Sequence, residues 1–153
     1  MPTVGKPAPA FTLETDSGEP LSLKELKGRT VVLYFYPKDD TSGCTTEACE
    51  FRDLMPRFAE GSAVILGVSP DTVKSHQKFK AKYDLTFPLL ADVEHAVAEQ
   101  YGVWKEKSMY GRKYMGVERT TFVIDAKGVL RHIFEKVKPA GHAEEVAAVL
   151  SAL

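Results

Sequence analysis

The sequence predicts an α/β fold, a mixed β-sheet with helices on both faces, and three observations predict it. Two continuous apolar runs, TVVLYFYP (30–37) and AVILGVSP (63–70), each end in proline and read as strands buried on both faces. The segment between them, CTTEACEFRDLMPRF, repeats apolar residues at helical spacing, so a helix joins the two strands as a parallel crossover. Beyond residue 70, helical and strand-like stretches alternate down to a closing amphipathic helix, the order of an α/β domain.

Each element has its own local reason. Pro2, Pro7 and Pro9 keep the first ten residues extended. FTLETDSGEPLSL then reads as two short strands about a Ser17-Gly18 turn, a peripheral hairpin. After the first buried strand, Cys44, Ala48, Phe51, Met55 and Phe58 recur along one helical stripe, and Pro56 kinks or ends that helix. VKSHQKFKAKYD and HAVAEQYGV are two further helical patterns around a short FPLL strand, TTFVIDAKGVLRHIF is a hairpin turning at Lys127-Gly128, and AEEVAAVLSAL is the last helix. With neither repeat nor linker, residues 1–153 form one domain, and a domain of this size buries roughly 70% of its unfolded surface.

At 44% hydrophobic and 27% charged residues the composition is that of a globular protein, and a formal net charge of −1 gives polyanions no global attraction. Neither nucleic acid nor a membrane surface is therefore an expected partner. The charge is uneven: between 103 and 139 nine cations (Lys105, Lys107, Arg112, Lys113, Arg119, Lys127, Arg131, Lys136, Lys138) face four acids (Glu106, Glu118, Asp125, Glu135). That excess is either a solvated face or a place where an acidic protein docks. No stretch approaches the ~18 apolar residues of a membrane span, and MPTVGKPAPAFTL lacks the run of a signal peptide. A cytoplasmic protein is expected, and two cysteines in a reducing compartment point to redox or catalytic chemistry before a structural staple.

Both cysteines lie in PKDDTSGCTTEAC, residues 37–49. Thr41, Ser42 and Gly43 read as an N-cap and its turn, which places Cys44 in or near the first helical turn, where unpaired amides and the positive end of the macrodipole favour a thiolate. Asp39 and Asp40 oppose that charge if they are close, although acids in an exposed loop are screened. Ionisation alone gains a cysteine about 30-fold at neutral pH, about 2 kcal/mol, too little for an enzyme. Hydrogen-bond donors must also hold the electrophile. Thr41 offers a hydroxyl and Gly43 an amide, and Arg119, at the start of the apolar run TTFVID, is either a surface ion-pair partner or a cation held at the same sheet end as the helix start.

Five residues of α-helix separate two Cα atoms by about 8–9 Å, through about 7.5 Å of rise and about 140° of rotation. A disulfide needs less than about 7 Å. Cys44 and Cys49 therefore bond only if the helix locally unwinds, and the plain alternative is that neither is reactive, Cys49 being a small buried hydrophobe. The spacing fits neither CxxC nor zinc, and the four histidines form no HxH or HxxxH pair, so no metal is expected.

YFYPKDDTSGCTTEACEFRD resembles the active-site segment of the peroxiredoxins, thiol peroxidases of thioredoxin fold, whose Pro-x-x-x-Thr-x-x-Cys signature stands here as Pro37, Thr41 and Cys44. The second cysteine five positions on, together with YGVWKEKSMYGRKYMGVERTTFVID, is similar to the bacterioferritin comigratory protein or peroxiredoxin Q group, and the resemblance spans nearly the whole chain. It implies a thioredoxin-like domain with Cys44 as peroxidatic and Cys49 as resolving cysteine. It further implies that Thr41 and Arg119 polarise the peroxide, that Pro37 shields the site and that Glu47 orients the arginine. Hydrogen peroxide and organic hydroperoxides as substrates, thioredoxin as reductant, no cofactor of the protein's own and a monomer are implied with it. Ser42 stands where this group commonly has proline, and Thr120 where serine is expected. A general thiol–disulfide oxidoreductase would want a CxxC pair, which the sequence lacks, and the Thr41, Cys44 and Arg119 set argues against a binding module with incidental cysteines.

Overall fold

The computed structural model describes residues 1–153. The chain runs β1 (Thr12–Thr15), β2 (Pro20–Ser22), a 3-10 turn (Leu23–Leu26), β3 (Thr30–Phe35), α1 (Ser42–Asp53), α2 (Met55–Glu60), β4 (Ala63–Ser69), α3 (Val73–Tyr83), β5 (Leu89–Ala91), α4 (Ala96–Gln100), β6 (Trp104–Met109), β7 (Arg112–Val117), β8 (Thr120–Ile124), β9 (Leu130–Phe134) and α5 (His142–Ser151). Seven strands form one sheet in the order β2-β1-β5-β4-β3-β8-β9, and β6 and β7 form a separate ribbon. β3 pairs parallel with β4 and β4 with β5, the two crossovers being α1–α2 and α3. β8 runs antiparallel to β3, with Phe35 opposite Thr120. The carboxyl end of β3 and the amino end of β8 therefore meet at one edge, and this is where the chemistry collects.

The two-residue period of β3 sorts the core. Val32, Tyr34 and Tyr36 face a layer built from α1, α2, α3 and α5, with Ala48, Phe51, Phe58, Phe79 and Val146. Val31, Leu33 and Phe35 face the opposite layer, where Phe11, Leu23, Val97, Ala98 and Tyr101 pack. Helices cover both faces, as the continuous apolar runs require.

Pro56 acts as its position predicts: α1 stops at Asp53, Leu54 leaves helical geometry at ψ 4° while its N–H still donates to the Glu50 carbonyl at 3.2 Å, and α2 restarts with proline in its first turn. α4 is shorter than HAVAEQYGV suggests, only Ala96–Gln100. The β6–β7 ribbon is an element the sequence reading did not include. Its turn, Tyr110-Gly111, has φ of +53° and +78°, the left-handed pair of a tight hairpin. Its strands carry no apolar alternation because most of their residues are exposed, so the period that betrays the other strands is missing here.

Candidate active site

Tyr36 makes the last rung from β3 to β4, its N–H donating to the Val68 carbonyl at 3.0 Å. Pro37 follows, half-buried, and with no N–H to extend the ladder it turns the chain away from the sheet. At the end of this loop Thr41 is the N-cap of α1, in extended conformation (φ −91°, ψ 158°), and its carbonyl accepts the Thr45 N–H at 2.9 Å. Ser42 and Gly43 therefore belong to the helix itself, and Cys44 is its third residue. The Thr41 hydroxyl does not cap: it donates to the Lys38 carbonyl at 3.0 Å. The first amides of α1 are left without a side-chain partner beside the sulfur.

Cys44 is 1% exposed. Arg119, delivered by the turn before β8, donates from Nη2 to Sγ at 3.3 Å and from Nη1 to Glu47 Oε1 at 2.6 Å. Cys44 and Glu47 are three apart on α1, so both face the same guanidinium. The arginine is held at its backbone too: Val137 N–H donates to its carbonyl at 3.0 Å, and the Thr120 hydroxyl closes the turn on the Glu118 carbonyl at 2.9 Å. Gly43 is needed for the approach, since a Cβ there would stand 3.2 Å from Nη2 and 3.3 Å from Pro139 Cγ.

Burial pushes the Glu47 carboxyl up to about 7 against the opposing pull of Arg119. Its Oε2 is buried with no partner, so Arg119 is the group's single support. For Arg119 burial works against the charge, but the anions at Glu47 and Cys44 outweigh it and raise the pKa. The guanidinium thus forks between a sulfur and a carboxylate, with Nη2 directed at the Cys44 sulfur.

Cys49 sits half-buried on another side of the intact helix, and both thiols are free, as their spacing in a continuous helix demands. The loop acids differ from the sequence expectation. Asp40 is exposed and held by Lys82 and Tyr83, but Asp39 is 7% exposed, drawn inward by hydrogen bonds from Tyr36 and Ser75 and by His76. Asp39, Asp71 and His76 bring three potential ligand atoms within 4.8 Å of one another, yet Asp39 Oδ2 and His76 Nδ1 are 2.7 Å apart, which is a hydrogen bond with no room for an ion between them.

Lys107 on β6, which the sequence offers only as one of the cations between 103 and 139, stands near Arg119 and Cys44. It is half-buried; burial lowers its pKa, the Arg119 charge lowers it further, and Cys44 and Glu118 partly restore it. Its place near the site went unread because the ribbon that carries it did. The aromatics near the site serve packing: Tyr36 and Phe122 are fully buried, and Trp104 stacks on His95 with ring centroids 4.0 Å apart.

Residues 4–133 match the AhpC/TSA family model. The chain is 57% identical over 143 residues to a putative peroxiredoxin Bcp of Coxiella burnetii, covering 94% of this chain and 95% of that protein. It is 52% identical over 147 residues to peroxiredoxin Bcp of Bacillus subtilis, covering 96% and 94%. Among solved structures, the bacterioferritin comigratory protein of Xanthomonas campestris, a protein with alkyl peroxide reduction activity, superposes with a TM-score of 0.89 at 44% identity over 93% of this chain and 90% of that one. A peroxiredoxin Q variant from Xylella fastidiosa superposes with a TM-score of 0.93 at 39% identity over 98% and 96%. With a thioredoxin-fold sheet and a guanidinium on the cysteine that opens α1, the chain belongs to the AhpC/TSA family, as a thiol peroxidase of the Bcp/peroxiredoxin Q group.

Proposed function

We propose that this enzyme reduces hydrogen peroxide and organic hydroperoxides at Cys44, closes a Cys44–Cys49 disulfide, and is returned to the dithiol by thioredoxin. The observation that carries the reading is the Arg119 fork, 3.3 Å from Sγ and 2.6 Å from Glu47. Cys44 thiolate attacks the terminal oxygen of ROOH. The S–O bond forms as O–O breaks, the sulfur becomes a sulfenic acid, and the departing RO⁻ takes up a proton and leaves as ROH. Arg119 N–H groups that lie against the sulfur are placed to hold both oxygens as charge shifts onto the leaving one. The Thr41 hydroxyl joins them by rotating away from Lys38, while Pro37 and the Gly43 turn keep bulk water off the sulfur.

Cys49 then attacks the sulfenic sulfur, expelling water, once the first turns of α1 have opened. Gly43, Thr45 and Thr46 are poor helix formers and ease that opening. Thioredoxin attacks the disulfide through a mixed intermediate, and two electrons restore both thiols. The enzyme acts as a cytoplasmic monomer in this reading. No helix is long and apolar enough to cross a membrane.

Mass spectrometry after one equivalent of peroxide tests it: a loss of two hydrogens shared by Cys44 and Cys49 is expected. Cys44→Ser abolishes turnover, whereas Cys49→Ser permits a single round that stops at the sulfenic acid. Sustained thioredoxin-dependent cycling by Cys49→Ser would remove Cys49 from the mechanism.

A further inference from the structure

Behind the reactive loop lies a buried charged cluster that the chemistry at Cys44 leaves unused. Asp39 Oδ1 accepts from the Tyr36 hydroxyl at 2.5 Å, and Oδ2 accepts from the Ser75 hydroxyl at 2.8 Å while facing His76 Nδ1 at 2.7 Å. His76 Nε2 lies 2.9 Å from the Leu90 carbonyl of β5. A carbonyl only accepts, so Nε2 carries a hydrogen; Nδ1 meets a carboxylate that already accepts two hydroxyls, so it carries one as well. By this network the ring is an imidazolium, and it is fully buried. Burial by itself lowers the His76 pKa, but the Asp39 hydrogen bond and charge, the Leu90 carbonyl and Asp71 reverse that and raise it. Asp71, from the β4–α3 connection, also accepts the Asp39 N–H at 2.8 Å and the Ser69 hydroxyl at 2.6 Å.

The next residue repeats the attachment at the surface. Asp40 adopts φ +58°, an uncommon conformation for a non-glycine residue, and its carboxylate takes Lys82 at 2.8 Å and the Tyr83 hydroxyl at 2.7 Å. At the far side of the cysteines, Arg52 Nη1 donates to the Tyr83 carbonyl at 2.6 Å. α3 therefore grips the chain at residues 39–40 and again at 52. Between those points the polar contacts of Cys44, Glu47 and Glu50 go instead to Arg119 and Gly141.

We propose that Asp39 and His76 are positioning residues for the peroxidatic cysteine, their buried ion pair keeping the 37–40 loop docked on α3 and β5 throughout the redox cycle, so that oxidation unwinds residues 41–51 between two fixed ends. The part concerning oxidation rests on the Cys44–Cys49 disulfide reading. A stationary loop returns Thr41 and Cys44 to Arg119 after each reduction. Removing one partner strands the other charge in the interior and frees the loop.

The cluster also gives the loop a pH dependence of definite sign. The groups facing His76 are Asp39 on the loop, Asp71 on the β4–α3 connection, Tyr36 beyond β3 and the Leu90 carbonyl on β5. A raised pKa means that the stabilisation is fully present below the unfolded histidine value and is lost as pH rises through the folded one. Docking weakens on the alkaline side, in the direction opposite to the thiolate fraction.

The experiment has two arms. In the first, amide exchange is followed in the wild-type dithiol and in protein whose disulfide has been verified by mass. Residues 45–51 lose protection on oxidation, and Asp39 and His76 keep theirs; loss of protection at Asp39 and His76 together with 45–51 overturns the fixed boundary. In the second, the second-order rate constant of Cys44 oxidation by hydrogen peroxide is measured against pH. His76→Gln and Asp39→Asn each lower it at neutral pH, by up to about a hundredfold for an ångström-scale displacement of the loop, and each abolishes the alkaline inflection of the wild type. The double variant loses less than the product of the two single losses, because neither charge is stranded. Ser75→Ala, which removes one bond and leaves the buried ion pair intact, moves the rate in the same direction by a smaller factor. Wild-type rate and pH profile in all folded variants overturn the assignment. If peroxide produces no disulfide, the resolving role of Cys49 and the fixed boundary fall together, while the pH arm still decides whether the pair positions Cys44.

Discussion

α1 and α3 cover the same face of the sheet and are ended in opposite ways. α3 is closed at both ends: Thr72 Oγ1 accepts the Ser75 N–H at 3.1 Å, and Asp84, left-handed at φ 55° and ψ 43°, follows its last turn. α1 begins at a threonine whose side chain makes no cap bond, followed by Gly43 and the Thr45-Thr46 pair. Its outer holds come from elsewhere, Arg119 on Cys44 and Glu47, the Gly141 amide on Glu50, and Arg52 on Tyr83. The difference teaches that one set of amides cannot serve two purposes. A side-chain cap on α1 would occupy the N–H groups that lie beside the Cys44 sulfur, so the helix that carries Cys44 is left open where α3 is sealed.

The contrast breaks most severely at Arg119, which supplies from outside what α1 lacks within. Arg119→Met should slow Cys44 oxidation by about 10²–10³-fold, the range for a lost donor at a developing charge. Stopped-flow kinetics check this, and a loss below tenfold would mean that the open helix end suffices alone.

Glu47 comes next. Its carboxyl, raised to about 7, binds its proton more tightly folded than unfolded. The sign follows: stability is highest below the unfolded value near 4.5 and declines as pH rises through about 7, by on the order of 3 kcal/mol. Glu47→Gln should flatten that slope in denaturant titrations between pH 4.5 and 8. It should also erase a rise in peroxide reactivity near pH 7, where the forming carboxylate orients Arg119. A slope equal to that of the wild type would place the proton on another group.

Gly43→Ala sharpens the contrast by setting stability against reactivity. Alanine favours the helix by up to about 1 kcal/mol, but its Cβ would meet Arg119 at 3.2 Å and Pro139 at 3.3 Å. Slower oxidation of Cys44, about tenfold for a displaced guanidinium, should accompany a protein that unfolds no more easily than the wild type. Unchanged kinetics would show that Arg119 tolerates the shift.

The smallest effect compares the two caps directly. Thr72→Ala should cost about 1 kcal/mol in urea unfolding, whereas Thr41→Ala, with no cap bond to lose, should stay within about 0.5 kcal/mol. Equal losses would erase the distinction between the two helix starts.

Much of this was legible in the chain. The strands at 30–35 and 63–69 read from their apolar runs, the break at Pro56 from the missing N–H, and the incompatibility of Cys44 and Cys49 with a bond in an intact helix from rise and rotation alone. Arg119 was legible as a candidate from its place before an apolar strand, but its partners were not, because Cys44 lies 75 residues away. The β6–β7 ribbon escaped because exposed strands carry no hydrophobic period. The buried Asp39 looked like any loop acid.

What the sequence determined by itself is the local order: the helix and strand periods, the cysteine at the start of α1, and the spacing that makes disulfide formation and an intact helix exclusive. Periodicity and covalent geometry act over a few residues, so a few residues suffice to read them. Only the tertiary structure decided that Arg119 meets Glu47 and Cys44, and that Asp39 turns inward to His76 while Asp40 stays in water. The reason is physical: the state of a charged side chain depends on the burial and partners that distant strands bring to it, and neighbouring residues in the chain carry no record of either.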